Sequence, residues 1–120
     1  MKTILFVEDE SALQKTFAKI LEKEDYTVIP ALDGEIGFNL AKLKKPDLIL
    51  LDLILPKLNG FEVLKKLKED EETKNIPVIV LTNLETMDNV EKAIGLGATT
   101  YLVKANYSLK EVLDKVKKCL

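Results

Sequence analysis

Side chains with chemical uses directly follow four of the apolar runs in this sequence: Glu8 and Asp9, Asp52, Thr82, and Lys104. Three carboxylates held close together repel each other, and a hard divalent cation such as Mg²⁺, which prefers oxygen ligands, is the usual remedy. A lysine and a hydroxyl group suit the other oxygens of a phosphoryl group, since its transfer is catalysed mainly by positioning and charge stabilisation. The set therefore indicates phosphoryl transfer onto an aspartate.

Asp52 follows Leu48 to Leu51, an unbroken apolar run that is typical of a strand buried on both faces of a parallel sheet. An ionised side chain in that position costs desolvation energy unless a cation or hydrogen bonds offset it. Because the carboxyl ends of parallel strands share one edge, where ligands bind in open α/β sheets, we expect these side chains to converge on one cleft.

The sequence predicts five short strands: Ile4 to Val7, Val28 to Leu32, Leu48 to Leu51, Pro77 to Leu81, and Thr100 to Val103. Amphipathic helices are predicted between and after them, with these apolar faces: Leu13, Phe17, Ile20 and Leu21; Ile36, Leu40 and Leu43; Phe61, Leu64 and Leu67; Met87, Val90, Ala93 and Ile94; and Leu109, Val112, Leu113 and Val116. Such alternation, joined by right-handed crossovers, predicts an α/β fold with a doubly wound parallel sheet.

Three helices are predicted to begin with a polar side chain that caps the first turn: Ser11 with Gln14, Asn59 with Glu62, and Ser108 with Glu111. Gly97 is placed like the glycine that ends a helix. Gly37 is expected to weaken the second helix, since glycine is a poor helix former.

Composition limits the possible functions. The 120 residues suit one domain, and 47% apolar with 32% charged residues is typical of a soluble globular protein. A net charge of -2 and the absence of arginine give no reason to expect nucleic-acid binding. No apolar run approaches the ~18 residues of a membrane span and no signal peptide is present, so we expect a cytoplasmic protein with no membrane contact. The single cysteine, Cys119, is expected to pack as a small apolar residue.

Over its whole length the chain resembles the receiver domain of bacterial two-component response regulators, of the single-domain, chemotaxis-regulator-like kind. The resemblance rests on an ordered set of motifs: Glu8-Asp9, Asp52-Leu53-Ile54-Leu55-Pro56 running to Asn59-Gly60, Thr82, and Tyr101-Leu102-Val103-Lys104. It implies one receiver domain over residues 1–120, with a flavodoxin-like sheet of strand order 2-1-3-4-5 and five helices.

The resemblance also implies roles for the acids. Asp52 would accept a phosphoryl group from a sensor histidine kinase or a histidine phosphotransfer protein. Asp9, Asp52 and the backbone carbonyl of Ile54 would bind Mg²⁺, and Glu8 would act through metal-bound water. Such a protein is a phosphoacceptor switch that catalyses its own phosphorylation and slow dephosphorylation, and it is not an enzyme acting on an external metabolite.

The other matched residues would carry the signal. Thr82 and Lys104 would contact the phosphoryl group, and the rotamer of Tyr101 would report the state on the face made by the fourth helix, fifth strand and fifth helix. A downstream protein partner would read that face. Thr99 and Thr100 stand where dimerising relatives often have acids, so we expect a monomer or weak dimer.

Two departures from the family pattern concern the switch region. Ala105 replaces the usual proline after Lys104, and because a cis bond before a non-proline residue costs about 3 kcal/mol, we expect the trans form and a differently shaped loop. Asn83 is larger than the usual residue after the threonine, which would narrow access to the site.

The positions two beyond the aspartate and two beyond the threonine, Ile54 and Leu84, are also unusual because both are apolar. Neither side chain can orient a hydrolytic water, which suggests slow dephosphorylation.

Three alternatives stay open at this point. A degenerate receiver would act as a phosphorylation-independent protein-binding module. An aspartyl-phosphate phosphatase would carry a second aspartate at position 54, and a flavin-binding relative would need a phosphate-binding loop where this chain has acidic Glu8 to Glu10. The sequence fits either a stand-alone regulator or a piece of a longer chain.

Overall fold

Five parallel strands form one sheet in the computed structural model, which describes residues 1–120. The strands are β1 (Thr3–Val7), β2 (Thr27–Ala31), β3 (Leu48–Leu51), β4 (Val78–Thr82) and β5 (Thr100–Val103). The helices are α1 (Ser11–Lys23), α2 (Gly34–Lys44), α3 (Gly60–Glu69), α4 (Met87–Gly95) and α5 (Leu109–Cys119). The strand order β2-β1-β3-β4-β5 confirms the predicted fold class and topology.

The sheet is buried on both faces, and this explains the unbroken apolar runs. Alternate residues of β3 enter two separate cores: Ile49 and Leu51 join residues of α2, α3 and α4, whereas Leu48 and Leu50 join residues of α1 and α5. All four are fully buried. Side chains on successive strand residues point to opposite faces, so a strand covered on both sides has no polar positions.

Two strands begin and end one residue away from their predicted bounds. β2 runs from Thr27 to Ala31 because Thr3 of β1 pairs with Thr27, and β4 runs from Val78 to Thr82. Pro77 lies outside β4; it has no N–H to donate, although its carbonyl accepts a hydrogen bond from the backbone N–H of Ile49. Thr82 is therefore the last residue of a strand rather than the first of a loop.

The predicted apolar face of α2 is wrong at two of its three residues, whereas the third, Leu40, is half-buried and packs against the core as predicted. Ile36 is exposed and Leu43 is 74% exposed, while the helix packs on the sheet through Gly37 and Ala41. A Cβ atom at Gly37 would lie 2.9 Å from both Cγ atoms of Val7, so the glycine allows α2 to approach β1 closely. In α4, likewise, Met87 and Ile94 are exposed and Ala93 makes the buried contact.

Two of the three predicted helix caps are confirmed. Asn59 accepts a hydrogen bond from the backbone N–H of Glu62, and Ser108 forms the full capping box with Glu111. The third is wrong, because Glu10 precedes α1 and makes no side-chain cap, while Gln14 is buried. Gly97, at φ 111°, follows the end of α4 as predicted.

Cys119 is half-buried at the end of α5 and packs against the core on that side, as expected. No helix is both long enough and apolar enough to cross a bilayer.

Gly37 and Gly95 provide a matched test of the close approach of α2. We expect Gly37→Ala to lower the free energy of unfolding by about 1–3 kcal/mol, because the new methyl group would clash with buried Val7. Gly95→Ala should raise it by about 0.5 kcal/mol, since alanine is the better helix former and nothing lies within 4 Å of that position. Urea denaturation measures both values. Similar values for the two variants would contradict this account of α2.

Candidate functional site

The carboxyl ends of β1, β3, β4 and β5 lie at one edge of the sheet. Val7 pairs with Leu51, so the residues that follow them, Glu8 and Asp52, leave neighbouring strands side by side. At the other side, Thr82 pairs with Val103, which directly precedes Lys104. The parallel register therefore brings residues from distant parts of the chain to one place.

Three acids form a cluster at this edge. One carboxylate oxygen from each of Glu8, Asp9 and Asp52 can be chosen so that all three lie within 4.8 Å of one another. The Glu8 residue is 1% exposed and the Asp52 residue 5%, whereas Asp9 is exposed. The cluster thus has two buried members and one that faces solvent.

Lys104 contacts both buried acids. Its Nζ lies 2.6 Å from Oε1 of Glu8 and 2.9 Å from Oδ2 of Asp52, and its side chain is only 15% exposed. One cation among three carboxylates leaves two net negative charges. The lysine supplies part of the compensation that a buried aspartate needs, and one divalent cation would balance the two remaining negative charges.

The backbone satisfies the other carboxylate oxygens. Oε2 of Glu8 accepts a hydrogen bond from the N–H of Glu10 at 3.1 Å, and Oδ1 of Asp52 accepts one from the N–H of Ile54 at 3.2 Å. Oε1 of Glu8 is buried and has no donor with hydrogen-bond geometry, although the Lys104 ammonium lies close to it. The Lys104 ammonium therefore supplies the compensating charge for this buried oxygen.

Burial and the contact between Glu8 and Lys104 act in opposite directions on the pKa values of these two residues. Burial raises the pKa of the Glu8 carboxyl above its ordinary value, and Asp52 adds to the rise, against the opposing contacts with Lys104 and Glu10. Burial alone would lower the pKa of Lys104, but its close contacts with the Glu8 and Asp52 carboxylates outweigh the effect of burial, and the pKa is raised. Lys104 is therefore cationic at neutral pH.

The loop after Asp52 is held by backbone contacts. The N–H of Gly60 donates a hydrogen bond to the carbonyl of Leu53 at 2.9 Å. Only glycine fits at position 60, because a Cβ atom there would lie 2.3 Å from the carbonyl oxygen of Asp52. The carbonyl of Pro56 accepts from the N–H groups of Leu58 and Gly34, at 2.8 and 3.3 Å. The first of these bonds closes a three-residue γ-turn around Lys57, whose φ is 70°.

Thr82 and Tyr101 both contact the backbone of Leu84. The Thr82 hydroxyl is buried and accepts a hydrogen bond from the N–H of Leu84 at the long distance of 3.5 Å. The Tyr101 hydroxyl donates to the Leu84 carbonyl at 2.7 Å, and burial raises its pKa. The Tyr101 hydroxyl thus contacts the loop after β4 rather than the acid cluster. Asn83, which precedes Leu84 in that loop, is exposed.

The segment after β5 is a 3₁₀ turn over Lys104–Asn106, and no peptide bond in the chain is cis, which confirms the expected trans bond before Ala105. The turn starts at the lysine that contacts the acids. The replacement of proline by alanine is therefore compatible with a Lys104 side chain that reaches both Glu8 and Asp52.

Comparison with known proteins agrees with this geometry. The sequence profile of the response regulator receiver domain matches residues 4–117. The chain belongs to this family. Receiver domains are signalling switches rather than enzymes with an external substrate.

Relatives of this receiver domain include both long and short proteins. The chain is 39% identical over its whole length to the DNA-binding dual master transcriptional regulator RpaA of Synechocystis, and it spans only 49% of that protein. It is 34% identical to the polar-differentiation response regulator DivK of Brucella anthropi, with 99% of this chain and 96% of DivK covered. The Mn(2+)-bound crystal structure of response regulator Rcp1 has a TM-score of 0.81 and 35% identity, with 98% and 91% of the two chains covered.

One residue at the site of this receiver domain was not recognised from the sequence. Gln14 was predicted to cap α1, but its side-chain amide is buried and donates hydrogen bonds to the backbone at the ends of β1 and β2. The spacing of Gln14, Phe17 and Leu21, which are all buried, was the available signal. These positions recur at i, i+3 and i+7 and share one helix face.

The contact of Lys104 with two acids predicts a pH-dependent stability. Lys104→Met would leave two buried carboxylates without their cation. We expect the free energy of unfolding at neutral pH to fall by roughly 2 kcal/mol, below the ~3–5 kcal/mol found when a fully buried pair is broken, because solvent still reaches part of this site. Denaturant unfolding of wild type and variant measures the loss.

This loss should shrink as the pH falls. Because the pKa of Glu8 is raised in the folded state, the folded chain binds more protons than the unfolded chain between the two pKa values of this residue, and stability decreases as the pH rises through that window. Without Lys104 the folded pKa moves higher and the window widens. Lys117→Met is the control, since its ion pair with Glu24 lies at the surface. A loss that stays constant across the acidic range would contradict this prediction.

Proposed function

We propose that this receiver domain accepts a phosphoryl group on Asp52 from the phosphohistidine of a histidine kinase or histidine phosphotransfer protein. The observation that carries the proposal is the state of Asp52 itself. It is a buried carboxylate that directly follows the central strand, and it lies against a lysine ammonium and beside two further acids. A structural aspartate in a turn has no need of such surroundings.

Mg²⁺ would be held by Asp9, Asp52 and the backbone carbonyl of Ile54, with Glu8 contributing through metal-bound water. The residues fit this ion because three carboxylates offer only oxygen ligands, and the cluster keeps two net negative charges after pairing with Lys104. The Mn(2+)-bound form of Rcp1 offers a precedent in a related chain. When bound, the ion would neutralise negative charge on the phosphoryl oxygens.

Transfer would exchange one bond to phosphorus for another. A carboxylate oxygen of Asp52 attacks, the phosphorus–nitrogen bond of the phosphohistidine breaks, and the released imidazole takes up a proton. The Ile54 N–H holds Oδ1 of Asp52 in place. The Lys104 Nζ lies 2.9 Å from Oδ2 of Asp52, and after transfer it would contact a negatively charged phosphoryl oxygen instead. Its raised pKa keeps it cationic for this purpose.

The signal would leave the site through Thr82. Its hydroxyl oxygen accepts one long hydrogen bond, from the N–H of Leu84, which can be lost at little cost when the hydroxyl donates its O–H to a phosphoryl oxygen. Leu84 is also the acceptor for Tyr101, so a shift of Thr82 and this loop changes the environment of the tyrosine. Such a switch is a shift of population between two packings of one region.

The downstream partner would bind the face formed by α4, β5 and α5. Met87 and Ile94 of α4 are exposed apolar side chains, and they suit a protein partner rather than nucleic acid. Because the chain spans about half of RpaA, the DNA-binding activity named for that protein is not carried over to this chain. With Thr99 and Thr100 in place of acids, we propose a monomer or weak dimer.

Intact-mass spectrometry tests the proposed phosphorylation. After incubation with Mg²⁺ and acetyl phosphate, the wild-type protein should gain the mass of one phosphoryl group. Asp52→Asn should gain none, because an amide cannot replace the nucleophilic carboxylate, and EDTA should abolish the gain in the wild type.

The control for this experiment is Asp114→Asn, the same change at an exposed aspartate of α5, which should be phosphorylated like the wild type. A wild type that stays unmodified while it is folded would contradict the proposal. That outcome would favour the phosphorylation-independent binding module instead.

Dephosphorylation should be slow in the wild type and faster in Ile54→Asn. Ile54 is exposed beside Asp52, but its side chain cannot hydrogen-bond a water, whereas asparagine can orient one toward the phosphorus. We expect a rate increase of roughly 10-fold, below the ~10²–10⁴-fold effect of a positioned general base. The loss of phosphoryl mass with time measures it. Ile54→Val keeps the position apolar and should decay at the wild-type rate; equal rates for all three proteins would contradict this role.

A further inference from the structure

Gln14 is the one buried polar side chain at the functional edge to which the proposed chemistry gives no role. It is 5% exposed, and its Nε2 lies 3.1 Å from the carbonyl oxygen of Phe6, 3.2 Å from that of Glu8 and 3.0 Å from that of Ala31. Phe6 lies near the end of β1, Glu8 directly follows that strand, and Ala31 is the last residue of β2. One amide group from α1 therefore joins the ends of two strands.

These hydrogen bonds fix the backbone of Glu8 from both directions. Its N–H donates to the Ala31 carbonyl at 2.9 Å, and its own carbonyl accepts from Gln14. The Ala31 carbonyl accepts from both Gln14 and Glu8. Because the peptide groups on both sides of the Glu8 Cα are held, the direction in which its side chain leaves the strand is set as well.

The direction of Glu8 matters for the acid cluster. Its carboxylate is buried and has one oxygen near Lys104 and the other on the N–H of Glu10. Asp9, the exposed member of the cluster, lies in the chain between Glu8 and Glu10. A change in the Glu8 backbone would therefore move two of the three acids that form the cluster.

We infer that Gln14 is a positioning residue for the divalent cation site: through the Glu8 carbonyl and the ends of β1 and β2, it holds Glu8 and Asp9 in the arrangement that the ion requires. This inference rests on the Mg²⁺ binding included in the proposed function. Partners that hold metal ligands in place are part of a metal site, and their removal commonly weakens binding.

The Gln14 side chain is held by hydrogen bonds on one side and borders a pocket on another. It borders a cavity of about 410 Å³ between α1 and the start of α2, whose other lining residues are Ser11, Lys15, Pro30, Ala31, Leu32 and Ile36. The two N–H groups of the Gln14 amide are shared among the three carbonyl oxygens, and these contacts set where the amide group lies. The cavity leaves room for a substituted side chain of similar length.

Gln14→Met keeps the length of the side chain and removes both N–H donors. Isothermal titration with MgCl₂ at neutral pH, without a phosphodonor, should give a dissociation constant about tenfold above the wild-type value, the lower end of the effect for residues that support metal ligands. With acetyl phosphate, the Mg²⁺ concentration for half-maximal phosphorylation should rise by the same factor. The rate at saturating Mg²⁺ should stay close to wild type, because Asp52 and Lys104 do not contact Gln14.

Gln14→Asn is the second variant. It keeps both donors but is one methylene shorter, so it should bind Mg²⁺ with intermediate affinity even if the methionine variant fails to fold. Leu21→Ala, a buried change near the other end of α1, is the control for lost stability and should leave the affinity of the folded protein unchanged.

The outcomes separate the two proposals. Wild-type affinity in folded Gln14→Met, or in Gln14→Asn where that variant alone folds, would overturn the positioning role and leave the proposed function intact. A wild type that binds no Mg²⁺ would overturn both. A reduced rate at saturating Mg²⁺ with unchanged affinity would also contradict the inference, because it would place the effect of Gln14 on the transfer step.

Discussion

The arrangement of the site depends on one interaction, the contact of the Lys104 ammonium with the carboxylates of Glu8 and Asp52. Glu8 and Asp52 follow neighbouring parallel strands and are both buried. Their negative charges repel each other, and each carboxylate loses part of its hydration. The Lys104 cation, which directly follows β5 and so comes from two strands away in the sheet, offsets part of both costs. It also leaves the three acids with two net negative charges, which one divalent cation would balance. The same ion pair therefore stabilises the structure and sets the charge that a bound cation would meet.

Around this contact the site divides into a firmly held side and a loosely held side. On the acidic side, hydrogen bonds near 3 Å fix Glu8, Asp52 and the loop that ends at Gly60. On the hydroxyl side, Thr82 has one bond of 3.5 Å. A switch protein needs such an asymmetry. The group that is modified must keep its position, while the segment that transmits the signal must be able to move.

The sequence was sufficient to predict the fold and most members of the site. Unbroken apolar runs have only one explanation in a short α/β chain, a sheet covered on both faces, and Glu8, Asp52 and Lys104 converge because parallel strands end at one edge. The errors concern distances between elements. Gly37 disfavours helix locally but permits the approach of α2 to Val7, and Ser11 with Gln14 has the local pattern of a cap although tertiary contacts draw Gln14 inward. Neither preference can be read from neighbouring residues alone, since each depends on the position of another strand. The roles of individual residues in metal binding and switching stay predictions.

The contact between Tyr101 and the Leu84 carbonyl also has a practical consequence. The chain contains no tryptophan and only three tyrosines, Tyr26, Tyr101 and Tyr107, so its near-ultraviolet absorption and emission come almost entirely from three phenol rings. One of these rings is hydrogen-bonded to the residue that also contacts Thr82. The protein therefore carries its own optical reporter next to the switch, and changes in that region can be followed without an added dye or label.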